Sequence, residues 1–508
     1  MDFPAAPKPS PSAELRWAAT AAALVALALY AAALIAHVAA VPGGSDSSGY
    51  MNHARLLASG SLHAQPRTIP GLPGIAGAPM LYVPLGFRPA WNGDGLVPTY
   101  PPGLPLFIVA LEPIAGWRHA GDAAIILHSL GGIIAMYALG RALGLRRPWA
   151  LLGAALVALS PLYVFMSLQA MSDVPSLLWT VLAVLAALRS RERAPWALAA
   201  GAALAVDVLL RPTNVLAFVP VAVALGASPR RWLLLCVGGL PGAAVFVAHS
   251  LAAYGSPLAT GYGNTRLDFG VRYVPGTLAH YARWLPVLFS PAAALSLGIP
   301  WVRSPVPRMR WLLGAWIVAY AGFYATYVCT HETWWYLRFL LPAAPALVAG
   351  ALLVLQALLE RAPALADPSR SLAAFAVALA AATLALAWPN RVLHPFSVGP
   401  EELRYRALNR WMERNVPADA VCLAMQVTGA LFYDTPYAFV RWDVLSKGNV
   451  GAVESAVRRA HRPLYAVLFP FEIEDFAVLK GVIPGRWIEV GKVGDITVLR
   501  RDLEPAKP

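Results

Sequence analysis

Gly43-Gly44-Ser45-Asp46-Ser47-Ser48-Gly49-Tyr50, continuing through Asn52, Arg55 and Leu57 to Leu62, follows directly on the apolar run Trp17 to Val41. That run is long enough to cross a bilayer. Gly43 and Gly44 break its helix. Ser45 or Asp46 can then N-cap a second one, because a short oxygen-bearing side chain accepts from the orphan N–H groups of a first turn. In that second helix Tyr50, Ala54, Leu57 and Ala58 share one face, and Ser48, Asn52, Arg55 and Ser59 the other. Such a helix lies in the membrane interface rather than crossing it. Asp46 then sits at the water–lipid boundary, at the helix end whose dipole favours its ionised form. A plain capping role would also account for it.

The surrounding composition is that of a membrane protein. The 508 residues are 58% hydrophobic and 13% charged, with a mean hydropathy of +0.57. Long apolar runs are separated by short arginine-bearing loops, which predicts a polytopic all-α membrane protein. The net charge of +13 does not imply nucleic acid, since the arginines are dispersed at helix ends. Cys236, Cys329 and Cys422 show neither metal-ligand spacing nor a disulfide framework. The first apolar run is too long for a signal-peptide core and reads as an uncleaved span.

Spans are expected at roughly 17–41, 122–143, 148–165, 174–188, 195–211, 213–227, 232–250, 284–302, 311–329, 337–358 and 371–388, about eleven in all. Segment 104–116, with Pro105, Glu112 and Pro113, reads as re-entrant or interfacial. With a cytoplasmic N-terminus, the loops bearing Arg141, Arg146 and Arg147, then Arg189, Arg191 and Arg193, then Arg230 and Arg231, then Arg303, Arg308 and Arg310, then Arg361 and Arg370 all fall on the cytoplasmic side, as the positive-inside rule requires. Glu192, Glu360 and Asp367 accompany them. Asp46, Asp94, Glu112, Asp122, Asp173, Asp268 and Glu332 fall at the outer face, as do the first outer loop 42–121, loop 251–283 and everything after Trp388. Residues 1–388 thus form the membrane domain. Residues 389–508 read as a small extracytoplasmic α/β domain, with an amphipathic helix around Leu403–Met412 and strands at Ala420–Met425, Pro463–Leu468 and Ile496–Leu499. Its expected role is to cover or shape a site made by the membrane part.

Candidate chemistry gathers on the outer side. Asp173, in Ser172-Asp173-Val174-Pro175, opens a span, where capping is the simpler explanation. Tyr100-Pro101-Pro102-Gly103 is held extended, because a residue before proline is pushed out of the helical region. Asp207 lies one turn before Arg211 in the hairpin Arg211-Pro212-Thr213-Asn214, so an i,i+4 ion pair accounts for both. His331-Glu332 begins like a zinc-protease motif, but Trp335 stands where the second histidine belongs, and no metal site is predicted. Arg338 enters a span, which is costly unless it is paired. No lysine occurs between Lys8 and Lys447. An anion in the membrane part must therefore be held by arginine, histidine or backbone N–H groups, with Arg211, Arg338, Arg266, Arg272 and Arg55 as outer candidates.

In order, Gly44-Ser45-Asp46-Ser47-x-x-Tyr50, Tyr100-Pro-Pro-Gly103, Ser160-Pro161, Ser172-Asp173-Val-Pro175, Arg211-Pro-Thr-Asn214 and Trp335-Tyr-Leu-Arg338-Phe-Leu-Leu-Pro342 resemble the GT-C fold glycosyltransferases. That family includes the protein O-mannosyltransferases and the lipid A aminoarabinose transferase. The resemblance covers residues 1–390. It implies inverting transfer of a sugar from a polyprenyl-phosphate donor to an acceptor hydroxyl on a lipid, glycan or protein, at the outer face of a bacterial cytoplasmic membrane and without a cofactor. Asp46 matches the general base and Asp173 the second acid, which orients the acceptor or the base. Arg338 matches the cation near the lipid phosphate, with Arg211, His331 and Tyr100 as further donor-binding positions. Tyr50, Asp94, Glu332 and Trp335 would line the cavity. Two positions depart from the pattern. Ser47 stands where many relatives carry a second acid, and Tyr100 replaces a lysine of the aminoarabinose transferase, which counts against that donor. Competing readings are a lipid-linked oligosaccharide ligase or polymerase, a flippase or transporter, and a non-catalytic scaffold. Sugar, acceptor, carrier length and oligomeric state are not legible in the sequence.

Overall fold

The computed structural model describes residues 11–72, 80–302, 308–361, 368–446, 449–480 and 486–502. Lys8, Arg303, Asp367 and Lys447, named above, lie outside these stretches. Helix α1 (Pro11–His37) gives way to a turn at Gly43–Ser45 and then to α2 (Asp46–Ala58). The expected cap is not formed. Ser45 takes helical dihedrals without a side-chain cap, and the turn closes through the Ser48 N–H to the Gly43 carbonyl at 3.2 Å. The side chains of Ser45 and Asp46 are engaged elsewhere.

Within the first long loop, strands β1 (Phe87–Pro89) and β2 (Leu96–Pro98) form an antiparallel hairpin. Helix α3 (Gly103–Ala142) follows Pro101-Pro102 and breaks at Gly116, whose φ of 68° and ψ of 160° are non-helical. Pro113, one turn earlier, removes a backbone donor. The interfacial segment anticipated at 104–116 is therefore the first arm of a bent helix.

The chain continues through α4 (Arg147–Ala158), α5 (Pro161–Met166), α6 (Asp173–Arg189), α7 (Trp196–Leu210), α8 (Phe218–Leu225) and α9 (Pro229–Tyr254). Then come α10 (Val274–Phe289), α11 (Met309–Ala325), α12 (Ala344–Glu360) and α13 (Pro368–Leu393). Each expected span falls on helix, but not each as one straight crossing. Among the described residues four helices are long and apolar enough to cross a membrane: Thr20–His37, Gly103–Ala142, Pro229–Tyr254 and Trp334–Glu360. The span expected at 284–302 is bent by 108° between Phe289 and Pro291, where Ser290 takes a φ of 74°. The one expected at 148–165 is split at Ser160-Pro161, where the Ser160 hydroxyl caps α5. Exposed apolar side chains such as Leu29, Val318 and Leu384 suit contact with lipid. The membrane-embedded, multi-pass character is thus carried by apolar helices joined end to end.

At one end of the bundle Arg191, Arg231 and Arg308 converge around Gly226, and Arg146 pairs with Glu360 at 3.0 Å. Asp46, Asp173 and Arg211 lie on segments at the opposite helix ends.

After α14 (Val398–Asn415) the chain builds a five-stranded sheet in the order β4-β3-β5-β7-β6. Strands β3 (Val421–Ala424), β4 (Ala438–Arg441) and β5 (Leu464–Leu468) are parallel, while β6 (Arg486–Val493) and β7 (Ile496–Asp502) add antiparallel strands. The helices between them are α15 (Thr428–Asp434), α16 (Val450–Arg459) and α17 (Ile473–Lys480). Strands β4 and β6 had no clear signal in the sequence. Helix α15 docks on α2. The Asn52 amide donates to the Gly429 carbonyl at 3.1 Å, and Ser48 packs on Gly429. Ser48 and Asn52 are consequently buried, not solvated as the amphipathic reading implied, because polar groups of the C-terminal segment take the place of water.

Candidate functional site

Asp46 opens α2 and accepts two hydrogen bonds. Arg338, on the short 3-10 stretch before α12, donates from Nη2 to Oδ2 at 2.7 Å. The Tyr100 hydroxyl donates to Oδ1 and accepts from Ser45 at 2.9 Å. Tyr100 stands just before the two prolines that lead into α3 at Gly103, so its ring projects from the segment that precedes the helix. Burial disfavours the Asp46 charge, but the Arg338 cation and the two donated hydrogen bonds outweigh it. Arg211 adds to them at longer range, and the carboxyl is held below the ordinary aspartate value. Asp46 is a shielded, ionised carboxylate with a quarter of its side chain still open.

A second ion pair lies deeper. Arg211 donates from Nη2 to Asp173 Oδ1 at 2.7 Å, with side chains 10% and 1% exposed. This corrects the expected pairing of Arg211 with Asp207. Asp207 instead accepts from Thr180 at 2.5 Å and from Asn214 at 2.7 Å, because the extended backbone at Arg211 turns its side chain away from α7. Asp173 does not cap α6 either, and Ser172 makes no cap. The Ser172 hydroxyl accepts from Tyr50 at 2.9 Å and from Arg211 at 3.3 Å. Tyr50 packs on Tyr100 with ring centroids 5.0 Å apart, and so joins the two pairs. Met171 lies between them, 3.8 Å from Arg338 and 3.9 Å from Ser47 through its sulfur.

Each arginine keeps an unused donor. Arg338 Nε and Arg211 Nη1 are buried without a hydrogen-bond partner among the described residues, as is Asp173 Oδ2. A buried cationic N–H without an acceptor is costly, and two of them beside a carboxylate suit an anionic group.

The remaining sequence candidates are not all drawn in. His331 stacks on Tyr273, with centroids 5.8 Å apart. Trp335 stacks on Phe165 at 6.5 Å, and Glu332 is exposed. Asp94 sits at the exposed tip of the β1–β2 hairpin, its N–H held by Asn92. Arg55 turns to Tyr433, 3.4 Å from the ring centroid, while Arg266 and Arg272 are exposed on loop 255–273. Two residues at the site were missed. Tyr262 makes an edge contact with Tyr100 at 5.9 Å, and nothing in a polar loop marks it. His53 shares a face of α2 with Asp46 and Tyr50, a signal the spacing did hold. It donates from Nδ1 to the Tyr100 carbonyl at 3.1 Å. Burial, then neighbouring His249, pushes its ring down to about 3, so it is neutral and supports Tyr100. No group of three or more His, Cys, Asp or Glu residues suited to a metal occurs among the described residues.

Residues 101–252 match the family described as dolichyl-phosphate-mannose-protein mannosyltransferase. The matched stretch contains Asp173 and Arg211 and begins directly after Tyr100. No curated protein matches the chain. Among solved structures, ArnT from Cupriavidus metallidurans bound to undecaprenyl phosphate is similar, with a TM-score of 0.58 at 14% identity over 96% of this chain and 98% of that one. AglB, the oligosaccharyltransferase of Archaeoglobus fulgidus, in complex with an inhibitory peptide and a dolichol-phosphate, gives 0.52 at 15% identity over 94% and 73%. The arabinofuranosyltransferase AftD from Mycobacteria gives 0.54 at 12% identity over 96% and 40%. The structural likeness is one of fold. It agrees in fold with the GT-C resemblance read from the sequence, and the family match over residues 101–252 indicates a glycosyltransferase.

Proposed function

We propose that this glycosyltransferase moves a sugar from a polyprenyl-phosphate carrier to an acceptor hydroxyl, with inversion, at the outer face of a bacterial cytoplasmic membrane. The observation that carries the reading is the convergence of one ionised carboxylate, Asp46, with two arginines that keep unused donors, Arg338 and Arg211. Asp46 is the general base. The acceptor oxygen forms a bond to the anomeric carbon as its proton passes to Asp46. The bond from that carbon to the carrier oxygen breaks on the opposite face, and the lipid phosphate leaves with the electron pair. The developing charge there needs cations already in place, which Arg338 and Arg211 provide. Asp173 acts as a positioning residue by fixing Arg211.

The ion pair suggests how base and leaving group are coupled. A carboxylate held below its ordinary value is a weak base. A carrier phosphate that draws Arg338 toward itself withdraws the counter-ion from Asp46 and leaves burial to raise its basicity. The base is thus strengthened only when donor is bound. The carriers named with ArnT and AglB, and the lipid-phosphate sugar in the family's description, support the donor class. The arginine cluster around Gly226, at the far end from Asp46, supports the orientation.

The test is transfer of label from radiolabelled polyprenyl-phosphate mannose, glucose or arabinose in membranes bearing the wild type or Asp46→Asn. Label should move to a lipid, glycan or protein acceptor, and the variant should lose about a hundredfold or more of the rate. Transfer that persists in the variant removes Asp46 as the base. No transfer from any donor by folded protein removes the function.

A further inference from the structure

A cavity of about 380 Å³ lies on the other side of α2 from Asp46, between the membrane part and the C-terminal segment. Its walls carry Arg55 from α2, Trp117 and Arg118 from α3, and Arg406 and Arg410 from α14. Nine residues at 3.6 per turn place Arg55 about 180° around the helix from Asp46, so this cavity is separate from the transfer site. Its volume falls in the range of small-ligand pockets.

The charge is what needs explaining. Four arginines line the space against two carboxylates, Glu413 and Asp434. None of the four is in an ion pair among the described residues. Asp434 is instead taken by Asn409 at 3.0 Å. Arg55 spends one nitrogen on the Tyr433 carbonyl at 2.6 Å and lies between the Tyr433 and Trp117 rings, with no carboxylate paired to it among the described residues. Arg406 and Arg410 are one turn apart on the same face of α14, where like charges repel and an anion between them would relieve both. The location points to the source. Trp117 follows the break at Gly116, where α3 turns into its membrane-crossing arm, and tryptophan marks the headgroup level.

We propose that this cavity is a second anion site, which takes a phosphate-bearing group and bridges α14 to α2 and α3 through it. Arginine forks suit phosphate oxygens, and a headgroup held there would fasten the C-terminal segment to the membrane surface beside the helix that carries Asp46.

The full chain in detergent is titrated with dioctanoyl phosphatidylglycerol, dioctanoyl phosphatidylcholine and inorganic phosphate, with binding read by native mass spectrometry and tryptophan fluorescence. The wild type should bind the phosphatidylglycerol more tightly than the zwitterionic lipid. Arg406→Gln/Arg410→Gln and, separately, Arg118→Gln from the opposite wall should each weaken it about tenfold or more, with unchanged thermal unfolding in the absence of lipid. Asp46→Asn should bind as the wild type does. Binding of inorganic phosphate as strong as that of the lipid, lost in the same variants, would keep the anion site and remove the lipid as its occupant. Binding equal in the wild type and both cavity variants, or lost only in Arg338→Gln, would overturn the site.

Discussion

Arg338 and Asp46 stand 292 positions apart in the chain and meet at 2.7 Å. The pair accounts for an arginine at the mouth of a membrane helix, and it makes the ionisation of Asp46 depend on Arg338. Asp46 is held below its ordinary value. The stability of the pair is therefore present above the unfolded aspartate value and lost as pH falls through the lower folded one. In Arg338→Gln burial is opposed only by the Tyr100 hydrogen bond and the more distant Arg211, and the value rises. The acid limb of the transfer rate should move upward by about one unit or more, measured as initial rates at donor concentrations well below saturation, where the profile reports the free enzyme. A limb that does not move would separate Arg338 from the base.

The Asp173–Arg211 pair predicts a different signature. Both side chains are buried, and removing one partner of a buried pair costs roughly 3–5 kcal/mol. Asp173→Ala should lower thermal unfolding in detergent markedly. Asp173→Ala/Arg211→Met should recover part of that loss without recovering transfer. Full stability in Asp173→Ala would show that Arg211 finds another partner and that Asp173 does not hold it.

Glu402, on α14, lays its carboxyl against Gly43, in the turn that leads to Asp46. Burial pushes it up to about 7, with Arg404 opposing and Glu401 adding. The folded value exceeds the unfolded one, so the folded chain holds the extra proton between them. The associated stability is full below the unfolded value and lost as pH rises through about 7. Thermal unfolding should therefore fall between pH 5 and 8, and Glu402→Gln should flatten that fall and be the more stable form at pH 8. The same slope in the variant would assign the titration to another group.

What could be read in the sequence follows from where each signal resides. Apolar runs and arginine loops place the helices, because bilayer thickness and charge act on residues near one another in the chain. Asp46, Tyr100, Asp173, Arg211 and Arg338 were marked by their neighbours, but not their partners. The i,i+4 rule joined Arg211 to Asp207, whereas the extended backbone at Arg211 hands it to Asp173. The amphipathic reading of α2 left Ser48 and Asn52 to water, and only the fold brings Gly429 onto them. His53 carried a spacing signal on the Asp46 face, hidden by its apolar neighbours.

Tyr100 offers the most direct test of how the base is positioned. Its hydroxyl donates to Asp46, and hydrogen bonds to charged groups contribute about 1.5–3 kcal/mol. Tyr100→Phe should therefore slow transfer roughly ten- to a hundredfold while keeping the ring packed on Tyr50. Gly49 reaches the same bond by steric means. A Cβ there would overlap the Tyr100 ring, and on the other side it would lie 3.0 Å from the Gly86 Cα, so neither neighbour can retreat freely. Gly49→Ala should displace the ring and lower transfer although it touches no polar group. If both changes act through the Tyr100–Asp46 bond, Gly49→Ala/Tyr100→Phe should be little slower than the worse single variant. Losses that multiply would mean that Gly49 acts on α2 itself and that the close packing of Gly49 on Gly86 serves the helix, not the base.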